Sequence, residues 1–183
     1  NWTPGQDIDL WVYYNNADEV ELFVNGKSQG VRSKGKDDFH VMWRVKYEPG
    51  TVKAVSRKEG KVVAEQEIRT AGEPARIRLT PDRSGIQADG KDLSFITVEI
   101  LDKDGNLCPN AENDVTFVVE GAGFIAGVDN GSPVSMEKFK DNHRKAFYGK
   151  CLVVVQSNGE IGSVRVTGVA DGLEKATTAI KAK

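Results

Sequence analysis

The chain has 183 residues, of which 39% are hydrophobic and 28% charged, a balance that suits folded globular domains and excludes a disordered segment. Its formal net charge of -2 leaves no basic excess to neutralise phosphates, so nucleic acid is not an expected partner. No run of about 18 apolar residues occurs, so no helical membrane span is expected.

The chain opens on Asn1-Trp2-Thr3-Pro4-Gly5, which has neither a starter Met nor a signal peptide and reads as an end cut from a longer chain. Asn1-Trp2-Thr3 is also a weak glycosylation sequon. Alternating apolar residues then predict strands near 8–14, 20–24, 28–32, 39–47, 51–57 and 61–69. Asn25-Gly26 punctuates the second and third, since a type I′ hairpin needs φ > 0 at both central residues. Phe39, Val41, Trp43, Val45 and Tyr47 fall on one face of the fourth, which is expected to pack in the core. Thr70-Ala71-Gly72-Glu73-Pro74-Ala75 interrupts the pattern and marks a seam between residues 1–71 and residues 72–183.

Beyond the seam, strands are predicted near 75–80, 84–88, 92–101, 113–120, 124–128, 150–157, 161–170 and 174–181. Ile96, Val98 and Ile100 should face the core, with Phe95, Thr97, Glu99 and Leu101 on the other face. Thr177, Thr178 and Ile180 favour an edge strand over a helix at the Lys-rich end. The fold class expected is all-β, two tandem immunoglobulin-like antiparallel β-sandwich domains. Residues 129–149 break the rhythm with a long segment rich in large side chains.

Few residues suggest chemistry. Cys108 and Cys151 lack the spacing of a zinc or redox site and read either as two buried free thiols or as one disulfide. Asp102-Lys103-Asp104-Gly105-Asn106 departs from a calcium loop and reads as a hairpin turn. His40 and His143 have no Cys or carboxylate at ligand spacing, so no metal is expected. Ser132, Asp141 and His143 lack a nucleophile elbow. Trp11 and Tyr13 lie on the face opposite Leu10 and Val12, so they form either a carbohydrate contact or a covered surface. Asp129, Asn130, Arg144 and Phe147 form the remaining cluster. Either Arg144 ties down the turn while Phe147 plugs the sandwich edge, or the cluster docks on another domain or subunit.

Several strings carry a resemblance. Glu19-Val20-Glu21-Leu22-Phe23-Val24-Asn25-Gly26-Lys27-Ser28-Gln29-Gly30 resembles the VELFlNGkSlG stretch of family 2 glycoside hydrolases of the β-galactosidase type common in Bacteroidetes. Trp43 with Val45-Lys46-Tyr47-Glu48-Pro49-Gly50 is similar to the W-x-V-x-Y-x-P-G stretch that follows it. Ala88-Asp89-Gly90-Lys91-Asp92-Leu93, Cys108-Pro109-Asn110-Ala111, Gly127-Val128-Asp129-Asn130-Gly131 and Arg144-Lys145-Ala146-Phe147 resemble the family's next immunoglobulin-like domain. The resemblance implies an accessory region whose catalytic barrel lies upstream, because the family's two glutamates, about 5 Å apart in retaining enzymes, have no counterpart here. It implies no catalytic residue, no cofactor and no metal in this region. The partners it implies are the barrel and other domains of the parent chain, with a homo-oligomer and glycan as further ones. It also implies a periplasmic or cell-surface location.

Overall fold

The computed structural model describes residues 2–183, so Asn1 of the sequon lies outside the described residues. The described residues form fifteen strands and no helix, so the fold is all-β. The chain divides into two compact units, one ending at Thr70 and the next starting at Ala71.

The first unit holds β1 (Asp7–Tyr13), β2 (Glu19–Val24), β3 (Lys27–Arg32), β4 (His40–Lys46), β5 (Thr51–Lys58) and β6 (Lys61–Arg69). One sheet runs β3-β2-β5-β6 and the other pairs β1 with β4. The β2–β3 hairpin turns at Asn25 and Gly26, with φ of 50° and 78°, the two positive values that a type I′ turn demands. Period-2 alternation then sends Val20 and Leu22 of β2 and Val41 and Trp43 of β4 into one small core. Leu10, Val12, Val45, Val52 and Ala54 pack around them.

Phe39 departs from the expected core face and is 81% exposed. The β1–β4 ladder ends at the Tyr13–His40 pair, so Phe39 lies in a bend before the strand begins and the alternation does not reach it. Tyr47 is half-buried and lies against Trp2, with ring centroids 6.0 Å apart.

The second unit holds β7 (Arg76–Pro81), β8 (Gly85–Ile86), β9 (Leu93–Leu101), β10 (Asp114–Gly121), β11 (Gly123–Asp129), β12 (His143–Lys145), β13 (Lys150–Ser157), β14 (Gly162–Val169) and β15 (Ala176–Ala182). Sheet β12-β10-β14-β15-β8 and sheet β11-β13-β9-β7 share one core. Ile96, Val98 and Ile100 of β9 and Val153 and Val155 of β13 supply one side. Val115 and Phe117 of β10, Val164 and Val166 of β14 and Ile180 of β15 supply the other.

Three details differ from the sequence expectation. The strand expected at 84–88 shortens to Gly85–Ile86 and pairs parallel with β15, so the sheet is not wholly antiparallel. Leu101 is buried, because the Asp102–Asn106 turn folds back and bridges Leu101 to Leu107. Within 129–149, β12 forms and is followed by a two-residue turn, Tyr148 and Gly149, with φ of 50° and 75°. A Cβ on Gly149 would meet the Cys108 carbonyl oxygen at 2.3 Å, so only glycine fits that position.

The Asp102 turn is closed by its own carboxylate. It accepts N–H bonds from Gly72 (2.8 Å), Asn106 (2.8 Å) and Asp104 (2.9 Å), and one from the Asn106 side-chain amide (3.0 Å). The Gly72 N–H, the Asn106 amide and the remaining donors outweigh desolvation and hold this carboxyl well below the usual aspartate range.

Cys108 and Cys151 are both free and buried. Burial pushes the Cys151 thiol up to about 12, so its reactive thiolate is suppressed at neutral pH. Both thiols are expected to react slowly with an aromatic disulfide reagent in the native chain and within seconds in urea. Fast native labelling of both would contradict their burial.

Candidate functional site

Two places gather chemistry-bearing side chains, one in each unit. In the second unit, the segment between β11 and β12 is tied from both ends. The Asp129 carboxylate accepts the N–H groups of Asn130 (2.7 Å) and Gly131 (3.2 Å). The Asn130 side chain donates to the Lys145 carbonyl (2.9 Å) and accepts the Ser132 N–H (3.0 Å).

Arg144 is the centre of the tie. It sits mid-β12 with 1% of its surface exposed. Its Nη2 donates to the carbonyls of Val128 (2.8 Å) and Lys138 (3.2 Å). Its Nη1 donates to Ser135 Oγ (3.3 Å) and lies 3.6 Å from the Glu137 carboxylate. The guanidinium also stands 5.3 Å from the centre of the Phe139 ring. A buried arginine that collects carbonyls from one loop fixes that loop's path, and this is what Arg144 does. Phe147 is half-buried and packs on Tyr148, with centroids 4.3 Å apart.

The outer surface of this tied loop carries large apolar side chains beside the exposed Lys138 and Lys140. Val134 and Phe139 are exposed, and Met136 is 96% exposed. Loops that lack internal bonds spread such side chains over many conformations. Here the backbone beneath them is fixed by Arg144, Glu137 and Asn130.

The fold also assembles a cluster that sequence spacing hides. His143 Nδ1 lies 3.0 Å from Asp114 and its Nε2 lies 3.7 Å from Asp141. Ligand atoms of Asp114, Glu137 and His143 fall within 4.8 Å of one another, so the expectation that no carboxylate lies at ligand distance from a histidine is corrected. Asp114 is brought there by the β10–β12 ladder, which pairs residues 27 to 31 positions apart in sequence.

The groups are engaged with each other and with the backbone. Glu137 accepts the Lys145 N–H (3.1 Å) and the Ser135 hydroxyl (2.9 Å). Burial pushes the Glu137 carboxyl up, but these two bonds and the Arg144 and His143 charges outweigh it and leave it below the usual glutamate value. A glycosidase acid needs the opposite shift. No hydrogen bond joins Ser132 to His143 among the described residues.

The bond to Asp114, with the negative charges of Asp114, Asp141 and Glu137, raises the His143 pKa. The folded value exceeds the unfolded value of about 6.5. Its contribution is therefore complete below about pH 6.5 and is lost as pH rises through the folded value. Proteolysis at Lys138 and Lys140 is expected to speed up between about pH 6 and pH 9 relative to a peptide control. His143→Gln should flatten that difference, and a flat profile in the unaltered chain would contradict it.

In the first unit, the outward face of the β1–β4 pair carries the second cluster. Trp11 is 55% exposed and Tyr13 is 65% exposed. Trp11 stacks flat on His40, with centroids 4.5 Å apart and planes 8° from parallel, and Tyr13 tilts against the same ring at 5.2 Å. Farther along, Asp9 pairs with Arg44 and Asp7 with Lys46, both at 2.8 Å. A groove of about 350 Å³ adjoins the rings and is lined by Arg32, Ser33, Asp38, His40, Val41 and Met42.

Comparison with known proteins places both clusters in a family. The model of "Glycoside hydrolase family 2 C-terminal domain 5" matches residues 77–179, more than half of the chain. The chain belongs to glycoside hydrolase family 2. Residues 5–64 match a domain of unknown function, DUF4982. The family 2 match encloses Asp129, Asn130, Arg144 and Phe147, and the other match encloses Trp11, Tyr13 and His40.

The chain is similar to beta-galactosidase BoGH2A of Bacteroides ovatus, 67% identical over all of this chain and 22% of that protein. It is similar to a putative beta-glucuronidase of Formosa agariphila, 36% identical over 82% of this chain and 15% of that protein. A crystal structure of a family 2 member from Bacteroides cellulosilyticus matches at TM-score 0.92 and 39% identity, over 98% of this chain and 23% of that one. The chain thus spans less than a quarter of each of these proteins.

Sequence reasoning singles out Trp11, Tyr13, Asp129, Asn130, Arg144 and Phe147, and the fold brings the last four into or beside one tied loop. It misses His40 as the ring under Trp11, because cross-strand diagonals require a register. It also misses the His143 carboxylates, for which only the density of acidic residues flanking the long segment was a signal.

Proposed function

We propose that this chain is a non-catalytic C-terminal accessory region of a β-galactosidase-type family 2 hydrolase, and that it braces the rest of the enzyme. The carrying observation is 67% identity along the whole chain to a β-galactosidase of which it makes up only 22%. The chemistry supports the reading. The carboxylates gathered at His143 (Asp114 and Glu137, with Asp141 nearby) are spent on His143, Arg144 and backbone N–H groups, with Glu137 shifted away from proton donation. The sugar of the parent is left open by this region, since a putative glucuronidase carries a similar one.

Bracing acts through the exposed tip of Val134, Met136 and Phe139. An apolar tip on a fixed loop is suited to seat in another part of the parent chain, which by length is more than three-quarters of the enzyme. The enzyme is exported to the periplasm or cell surface in this reading, and fractionation of the native host tests that part.

The test places Met136→Glu and Phe139→Glu in the longer enzyme and in the isolated chain. The isolated chain should keep its melting temperature in Met136→Glu, whose side chain is 96% exposed, whereas Phe139→Glu also removes the ring beside Arg144 and serves as the second variant. The enzyme should lose thermal stability and turnover on an aryl β-galactoside. An unaltered enzyme would overturn bracing through this tip, and release of aglycone by the isolated chain would overturn the accessory reading. Concentration-dependent dimers of the unaltered isolated chain, lost in both variants, would make a second copy the occupant.

A further inference from the structure

We propose that the outward face of β1 and β4, with the groove beside it, is a binding site for neutral glycan. The observation is a continuous surface of two kinds. Trp11 and Tyr13 present aromatic rings held in place by His40 between them. His40 and Met42, the cross-strand partners of Tyr13 and Trp11, also line the adjoining groove. A pyranose has one apolar C–H face and a rim of hydroxyls. Such a ring stacks on an indole or phenol while its hydroxyls reach polar groups alongside.

The groove supplies those polar groups. Asp38 lines the groove, and its Oδ2 accepts the Gly35 N–H at 2.8 Å, which fixes the carboxylate. The Ser33 hydroxyl and the His40 ring nitrogens make no hydrogen bond to other described residues, so both retain full capacity for hydroxyl partners. Arg32 is differently placed. It donates to the Met42 carbonyl and stands 5.5 Å from the centre of the Trp43 ring, while remaining exposed at the groove.

Charge selects the class of sugar. Arg32 and Asp38 bring one charge of each sign to the groove, and the charged side chains of β1 and β4 pair as Asp9–Arg44 and Asp7–Lys46. A groove with balanced charge gives an anionic uronate no excess of positive charge to bind, whereas an uncharged sugar finds both donors and acceptors for its hydroxyls. The groove volume of about 350 Å³ lies at the small end of ligand sites and fits one or two sugar rings. An open platform of this kind gives weak, rapidly reversed binding, which suits repeated contact with a polymer.

The test titrates the 183-residue chain with neutral tetrasaccharides of β-linked galactose, glucose, xylose and mannose, and with tetragalacturonate. Heat and tryptophan fluorescence are both followed. At least one neutral tetrasaccharide should bind with millimolar or tighter affinity, with tetragalacturonate silent. Trp11→Ala should weaken binding at least about tenfold and Asp38→Ala at least about threefold, while Trp2→Ala leaves it unchanged. The three side chains are exposed, and an unchanged melting temperature confirms that each variant folds.

No binding by any neutral tetrasaccharide, binding unaffected by Trp11→Ala, or binding of the uronate alone would each overturn the proposal. A silent titration accompanied by a lower melting temperature of the longer enzyme carrying Trp11→Ala would make the face a domain contact instead. Reducing sugar released in the same cell would strike the accessory reading and leave the binding result standing.

Discussion

Arg144→Ala is expected to destabilise the second unit by about 3 kcal/mol, within the range seen when one partner of a buried ionic network is removed. The truncation strands the buried Val128 carbonyl and removes a partner from the Lys138 carbonyl, the Ser135 hydroxyl and the Glu137 carboxylate. Arg144→Lys should recover little, because one ammonium cannot span acceptors gathered by the two ends of a guanidinium fork. The three tryptophans, Trp2, Trp11 and Trp43, all precede Thr70, so their fluorescence reports the first unit. Urea unfolding followed by circular dichroism should show an earlier second-unit transition in Arg144→Ala, with the tryptophan transition unmoved. A shift under about 1 kcal/mol would mean that the loop closes without its arginine.

Trp43→Ala is expected to be more damaging still, at about 4 kcal/mol. Trp43 is the largest side chain in a core whose other fully buried members are Val20, Leu22 and Val41. A unit of this size has little stability to spare, so the loss approaches its whole margin. Amides of the first unit should lose their protection from hydrogen exchange in buffer, with the second unit still folded by circular dichroism. Trp43→Phe should cost much less. The indole Nε1 has no hydrogen-bond partner among the described residues, so removing it relieves an unpaired donor while part of the ring volume stays. Equal damage from both substitutions would contradict this account of the core.

The strands were legible because their physics is local. Val20, Leu22 and Ile96, Val98, Ile100 alternate cleanly, and Asn25-Gly26 announces its turn. Phe39 shows where alternation fails, since it extrapolates a ladder beyond its last pair. The turn at Tyr148-Gly149 was hidden because tyrosine is seldom placed at positive φ. Arg144 was legible as a residue of interest but not as a buried one. Its partners lie in loop backbone, and carbonyls leave no trace in side-chain spacing. The aromatic face was legible as two alternatives, and exposure of Trp11 and Tyr13 together with the His40 stack decides its geometry.

The proposed bracing role stands on the fixed apolar tip seating against the rest of a family 2 enzyme. Hydrogen exchange of residues 133–141, compared between the isolated chain and the longer enzyme that contains it, tests this directly. Amides around Met136 and Phe139 are expected to exchange at least about tenfold more slowly in the longer enzyme. Equal exchange in both, with the tip open to solvent in each, would contradict it.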